Sequence, residues 1–505
     1  MKFGSCRKGL AALISILGLI SIPQAVRAEA SGEVSGVVIA ADGVGLPGAS
    51  IIFRNKGTGA VLKGVTSDRG VYRMRYLAPG TYEIKVELSG FESKVEESIL
   101  VPASAGITVD FVLKPATVHE NVTVIGRVPR ASFEASPARE STARDVGEAM
   151  AEVSGVDKIR KGGIATDVIL RGFQSKDLNV LIDGERIHGA CPNGMDPAAF
   201  HVDFAEVERI EIGKGPFDIQ NQGGLGGVIN IVTRQPSPGF HAYGSLAGGQ
   251  QGYINPSLTA SYGSERFSVL AGLSFRRSDP YTDGTGRRFS EYGNFRPGLV
   301  DSDAFRVGTA WGKFSVRPRR NHQTWISYTR QQADHVLYPY LLMDAIYDDG
   351  DRVGFGYQID SSGWVKSFRL QGYYTEVRHW MTDAFRTSSL GMTRDFSMGT
   401  MAGTQTFGGK YEMIFSTFVL GAEAFRRQWD VTTQMAGAGY APQYSIPDVK
   451  ADTAGVYADY GLSLLRRLRL NIGARVDITK SSADPAKANV ALYYAYHSTR
   501  RTSVT

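Results

Sequence analysis

Cysteine is nearly absent from this chain, with two residues in 505, Cys6 and Cys191. One thiol cannot close an internal disulfide, so if Cys6 is removed with the N-terminus no disulfide framework is available. Long apolar runs are missing too. After the first residues no segment offers the ~20 apolar positions that a membrane-crossing helix needs. That excludes a helical membrane protein but not a β-barrel, whose alternating strands average to a polar-looking hydropathy. Charge of one sign is also scarce. The formal net charge is +6, from 56 basic and 50 acidic residues. Four of the basic residues, Lys2, Arg7, Lys8 and Arg27, lie in the N-terminal segment, leaving 52 against 50, or +2. No basic patch argues for a nucleic-acid partner. There is no phosphate-binding loop, no HExxH pair and no nucleophile motif in a strand–turn–helix setting, so no enzymatic reading survives.

The N-terminus supplies what the rest lacks. Lys2, Arg7 and Lys8 precede the apolar run "GLAALISILGLISI", and "AVRA" offers small residues for cleavage near Ala28. Residues 1–28 therefore read as a secretory signal peptide, too short and wrongly flanked to span a membrane. Export to an oxidising space makes the remaining thiol, Cys191, either an apolar filler or a group kept for its chemistry. Glycine at 59 residues and aromatics at 10% point to many strands joined by tight turns.

Three regions follow. In residues 32–114, "GEVSGVVIA", "ASIIFRN", "GVYRMRYL", "GTYEIKVEL" and "ITVDFVL" are short alternating strands bounded by turn residues. Their spacing resembles the carboxypeptidase-regulatory-like β-sandwich, which brings no catalytic cluster and implies an interaction module or a spacer. Residues 115–128 link this unit to the next. Within them Glu120, Asn121, Val122, Thr123, Val124 and Ile125 form an extended stretch, either one more strand or a segment able to add itself to another protein's sheet. Residues 129–235 carry "DVGEAMAEVSGV", "VILRGF", "NVLIDGERI", "VERIEIGKGP" and "GGLGGVINIVT" in that order. This series resembles the plug domain of TonB-dependent outer-membrane receptors. The resemblance implies that Glu120–Ile125 is the TonB box, and that the partners are the TonB protein of the inner-membrane energy-coupling complex, outer-membrane lipid and the barrel-assembly machinery.

Residues 236–505 show period-2 strands, eleven candidates from 240–249 to 468–480. Short connections are expected at 263–265, 361–363, 408–410 and 464–467, and long ones at 278–302, 333–351, 382–393 and 431–449. Tight turns alternating with long loops is the pattern of an outer-membrane barrel. The expected fold is thus mainly β: an N-terminal sandwich, an α+β plug, and a transmembrane antiparallel β-barrel that is incomplete. Plugged transporters of this kind have about 22 strands, so the chain reads as a C-terminally truncated fragment with its N-terminal domain in the periplasm.

The cargo is not set by the plug motifs. "HGACPNGMDP" follows the strand "NVLIDGERI" and puts Met195 four residues after Cys191, close enough to converge in a helical turn or a tight loop. A thiolate with a thioether is a soft pair that favours Cu(I), whereas zinc rarely accepts a thioether. On the candidate strand 364–381 the polar parity Ser367, Arg369, Gln371, Tyr373 and Thr375 must face the lumen. Continued, it aims Val377, His379 and Met381 inward near the external end. Cys191, Met195, His379 and Met381 are therefore the candidate copper ligands. The CPNxMDP plug motif with a downstream HxM resembles TonB-dependent copper receptors. His188 and His201 are read as surface or packing residues, and His335 and Met343 as candidate relay ligands. No organic cofactor is expected. A receptor for a ferric siderophore or another organic chelate is the nearer alternative. A surface adhesin is a more distant one, since an adhesin has no lumen to gate.

Overall fold

A computed structural model describes residues 31–113 apart from 41–42, 89–90, 92 and 104. It also describes the backbone of 131–134, and residues 145–504 apart from 152, 293, 362, 437–440, 466–467 and 490–497. The signal segment, the 115–128 linker and the expected TonB box lie outside the described residues. The chain divides into two compact units, residues 1–121 and 122–505.

The first unit is a sandwich of two sheets. One pairs Val71–Leu77, Gly32–Ala40, Gly106–Thr108 and Phe111–Leu113. The other runs in the order Val61–Val65, Ser50–Asn55, Gly80–Glu87, Lys94–Val101. Strict alternation turns Val34 and Val38, Ile51 and Phe53, and Tyr82, Ile84 and Val86 into one shared core.

In the second unit, a mixed five-stranded sheet orders Glu185–Arg186, Asn179–Ile182, Gly227–Thr233, Val207–Lys214 and Ala131–Glu134. Asn179–Ile182 runs parallel to Gly227–Thr233, and the other pairs are antiparallel. The apolar runs "NVLI" and "GVINIVT" are buried along almost their whole length, as central strands covered on both faces must be. Among the described residues one short α-helix, Val146–Met150, is capped by Asp145, whose carboxylate accepts from Glu148 N at 2.8 Å.

Around this plug, among the described residues, twelve antiparallel strands follow one another in chain order, from Gly239–Gly248 to Ser498–Val504. Their outward positions carry Leu273, Phe275, Phe314, Ile326, Phe355, Leu370, Phe407, Val456 and Ile472, all exposed, which is the apolar band a bilayer requires.

Three details depart from the sequence reading. The strand Ser498–Val504 is a twelfth, beyond the eleven expected. The turn expected at 408–410 is absent: Met398–Phe415 passes straight through it and turns at 416–417. Gly408 and Gly409 are strand residues, and an added Cβ on Gly408 would lie 2.5 Å from the Tyr373 ring, so glycine here admits a neighbouring aromatic rather than a turn. Finally, the connections expected at 333–351 and 431–449 are much shorter. His322–Val336 and Asp344–Asp360 continue as a ladder, as do Phe418–Met435 and Gln443–Leu465. Above the bilayer the apolar alternation ends, but antiparallel hydrogen bonding does not.

Candidate metal-binding site between plug and barrel wall

The loop from Gly189 to Asp196 is organised by one carboxylate. Asp196 Oδ2 accepts from Ala190 N at 2.5 Å, and Oδ1 accepts from Cys191 N at 3.0 Å. Gly194 N donates to Cys191 O at 2.9 Å, closing a turn in which Gly194 has φ of +62°. Lys161 donates to Gly194 O from outside. Cys191 and Met195 are thus brought together by a tight loop and not by a helical turn. Only past Pro197 does the chain coil, into the 3-10 segment Ala198–His201.

The wall side comes from the strand Val365–Thr382. Ser367, Tyr373, Thr375, Val377, His379 and Met381 are buried, while Leu370 and Arg378 between them are exposed. The lumen-facing parity therefore holds to the external end. A bulge does occur here, but in the neighbouring strand between Ala345 and Tyr347, so the register of His379 and Met381 is kept.

Cys191, Met195 and Met381 belong to one buried apolar cluster with Phe200, Phe305, Leu337 and Tyr338. His379 is 1% exposed, and the Cys191 thiol is near enough to interact with it. Its Nδ1 lies 3.0 Å from Asp348 Oδ2, on the residue directly opposite in the adjacent strand. Its Nε2 is buried without a hydrogen-bond partner. An imidazole with one nitrogen fixed by a carboxylate and the other bare is oriented as metal ligands are. Of the four predicted residues, Cys191, Met195 and Met381 share one cluster and His379 adjoins it at Cys191, two coming from the plug and two from the wall.

The outer connections close over this cluster. Arg386 holds Asp344 through two contacts of 2.6 and 2.7 Å and donates to Tyr338 O at 2.8 Å. Its guanidinium lies 3.6 Å from the Phe295 ring centroid, and Tyr338 OH reaches Met195 O at 3.5 Å. On the other side of Cys191 is a cavity of about 510 Å³, lined by His188, Pro192, Asn193, Arg427 and Trp429 among others. Trp429 Nε1 donates to Ala190 O at 2.7 Å, tying the loop to the wall.

The remaining candidates are dispersed. His188 is half-buried beside the cavity, and desolvation holds its imidazole well below the usual range. His335 stacks on Phe385 with ring centroids 4.9 Å apart. Met343 packs against the apolar cluster. His201 is buried next to Asp196 and Asp348, and burial pushes its imidazole down to about 4. Burial and the nearby Asp348 raise Asp196. Sequence reasoning missed Asp348 and Asp196. The first could have been found by pairing "IYDDGD" with "EVRHWM" across the hairpin, the second from its place next to Met195. Elsewhere the plug is pinned to the wall by the buried ion pairs Arg186–Glu423 at 2.9 Å and Arg352–Glu206 at 2.7 Å and by the half-buried pair Lys313–Asp183 at 2.9 Å.

Comparison with known proteins matches this architecture. Residues 33–114 match the carboxypeptidase regulatory-like domain, 127–228 the TonB-dependent receptor plug domain, and 272–504 the TonB-dependent receptor-like β-barrel. An iron-regulated outer membrane virulence protein of Vibrio cholerae is 36% identical over 98 residues, which is 18% of this chain and 15% of that protein. Among solved structures, the copper transporter OprC aligns with a TM-score of 0.62 and 19% identity over 74% of this chain and 59% of its own. The ferric yersiniabactin uptake receptor FyuA from Yersinia pestis aligns with a TM-score of 0.54 and 15% identity, over 75% of this chain and 61% of its own. At these identities the likeness concerns the fold, and the chain spans roughly three fifths of the length of either solved structure. With plug and barrel models matching in order around a sheet whose outer face is apolar, this chain belongs to the TonB-dependent receptors of the outer membrane.

Proposed function

We propose that the chain captures copper, as Cu(I), for TonB-dependent uptake, with the Cys191 thiolate, the Met195 and Met381 thioethers and His379 Nε2 as ligands. The observation that carries this reading is that a plug loop and a wall strand, far apart in sequence, place Cys191, Met195 and Met381 in one buried cluster, with His379 beside Cys191. Three sulfurs and one nitrogen suit a soft monovalent ion, and the thioethers discriminate against zinc. Asp348 supports the reading by fixing the ring so that Nε2 is left for the metal. The resemblance to copper receptors in the CPNxMDP loop points the same way, as does the fold shared with a copper transporter. Energy coupling would run through Glu120–Ile125, adding a strand to the TonB protein.

A second reading has one observation in its favour. The cavity beside Cys191 falls in the ~300–1,000 Å³ range of small-molecule sites and presents Arg427 and Trp429, side chains suited to an organic chelate. Metal analysis separates the two. Receptor purified from outer membranes and offered Cu(I), Zn(II) and a ferric siderophore should retain about one equivalent of copper. Retention of the chelate with no copper would establish the second reading.

A further inference from the structure

Beside the sulfur-rich pocket lies a second set of donors with a different chemistry. Side-chain ligand atoms of Asp196, His201 and Asp348 all lie within 4.8 Å of one another, and all three residues are buried. None of the three is a proposed copper ligand. His201 is 1% exposed with the Asp196 backbone beside its ring but no hydrogen bond of good geometry at either nitrogen, and Asp348 Oδ1 is buried and unpartnered. Two carboxylates this close and this dry repel one another, and a buried polar group without a partner is costly. Cations on neighbouring elements are mostly engaged elsewhere, although Arg427 acts electrostatically on Asp196. Arg352, on the wall strand that carries Asp348, holds both oxygens of Glu206 at 2.7 and 2.8 Å. Arg427 stacks over Trp429 with 4.3 Å to the centroid. Lys161 pairs with Asp167 at 3.3 Å. His379 touches Asp348 through Oδ2 and so neutralises at most one of the two carboxylates.

We propose that Asp196, His201 and Asp348 form a binding site for a divalent cation of borderline hardness, such as zinc or cobalt, distinct from the copper pocket. One imidazole nitrogen and two carboxylate oxygens suit such an ion, which takes them at about 2.0–2.2 Å. Asp196 and His201 belong to the plug and Asp348 to the wall, so the ion would staple one to the other at the level of the cargo site.

Cobalt(II) is the test ion, used on the receptor carrying Cys191→Ser so that thiolate binding cannot contribute. About one equivalent should bind and give visible d–d bands without near-ultraviolet sulfur-to-cobalt charge transfer. Adding His201→Gln should weaken it at least tenfold, and Asp348→Asn should do the same if the histidine variant fails to assemble. Cobalt binding by Cys191→Ser receptor that His201→Gln or Asp348→Asn weakens supports this site whether that receptor keeps or loses copper, and so whether or not the copper reading stands. No cobalt binding in that variant, or binding unchanged by both further substitutions, overturns it.

Discussion

His379 and Asp348 face each other across neighbouring wall strands, Nδ1 to Oδ2 at 3.0 Å, with the second imidazole nitrogen left bare toward the plug thiol. The contact sets the tautomer and the ring plane, which a free histidine would have to adopt anew for each ion.

Asp348→Asn should therefore weaken copper binding by about 10- to 100-fold without removing a ligand. Competition against a copper chelator measures it. Unchanged affinity would mean that Asp348 does not position His379.

The loops above the pocket hang on another pair. Asp344 accepts from Arg386 and from Tyr338 N, and Arg386 also binds Tyr338 O. Arg386→Gln leaves a buried carboxylate without its cation, a loss of about 3–5 kcal/mol in comparable buried pairs. Alkylation of Cys191 in metal-free receptor should accelerate, on the order of tenfold or more. A rate equal to wild type would show that this latch does not govern access.

Gly189 approaches the backbone of Asp196 closely. An added Cβ would lie 2.2 Å from Asp196 O and 2.8 Å from its Oδ1. Gly189→Ala should displace the carboxylate that holds Ala190 N and Cys191 N, lowering copper affinity while the barrel still assembles. Wild-type affinity in this variant would mean that the loop tolerates the shift.

Coupling can be separated from capture. Proline at Val122 or at Val124 removes a main-chain donor from the expected TonB box and breaks strand addition. Copper uptake by cells should stop while binding by purified receptor is unchanged. Transport surviving both substitutions would place the box elsewhere.

Much of the site was legible because the residues that build it obey simple periodicities. Cys191 and Met195 are neighbours in one loop, and alternation along Val365–Thr382 carries His379 and Met381 inward whatever the neighbouring strand does. What the sequence hid depends on register between strands. Asp348 reaches His379 only because the two strands pair past a bulge at Ala345/Tyr347, and a shift of one residue would turn it to lipid. Gly408 and Gly409 misled for a related reason: two glycines read as a turn until the Tyr373 ring is seen against Gly408. The strand extensions, 333–336 and 344–351, carry too many polar residues for alternation to mark them.

The most direct test of the account is copper binding by Cys191→Ser receptor, with electron paramagnetic resonance on the wild type. Cys191 is the only anionic ligand among the four proposed, so serine should abolish tight binding, while Met195→Ala, His379→Ala and Met381→Ala should weaken it in smaller steps. Wild-type receptor offered Cu(II) should hold about one equivalent, largely silent in the spectrum because sulfur ligation favours Cu(I), and bound copper should block alkylation of the thiol. Full-affinity copper binding by Cys191→Ser would contradict the account and leave the cysteine a packing residue.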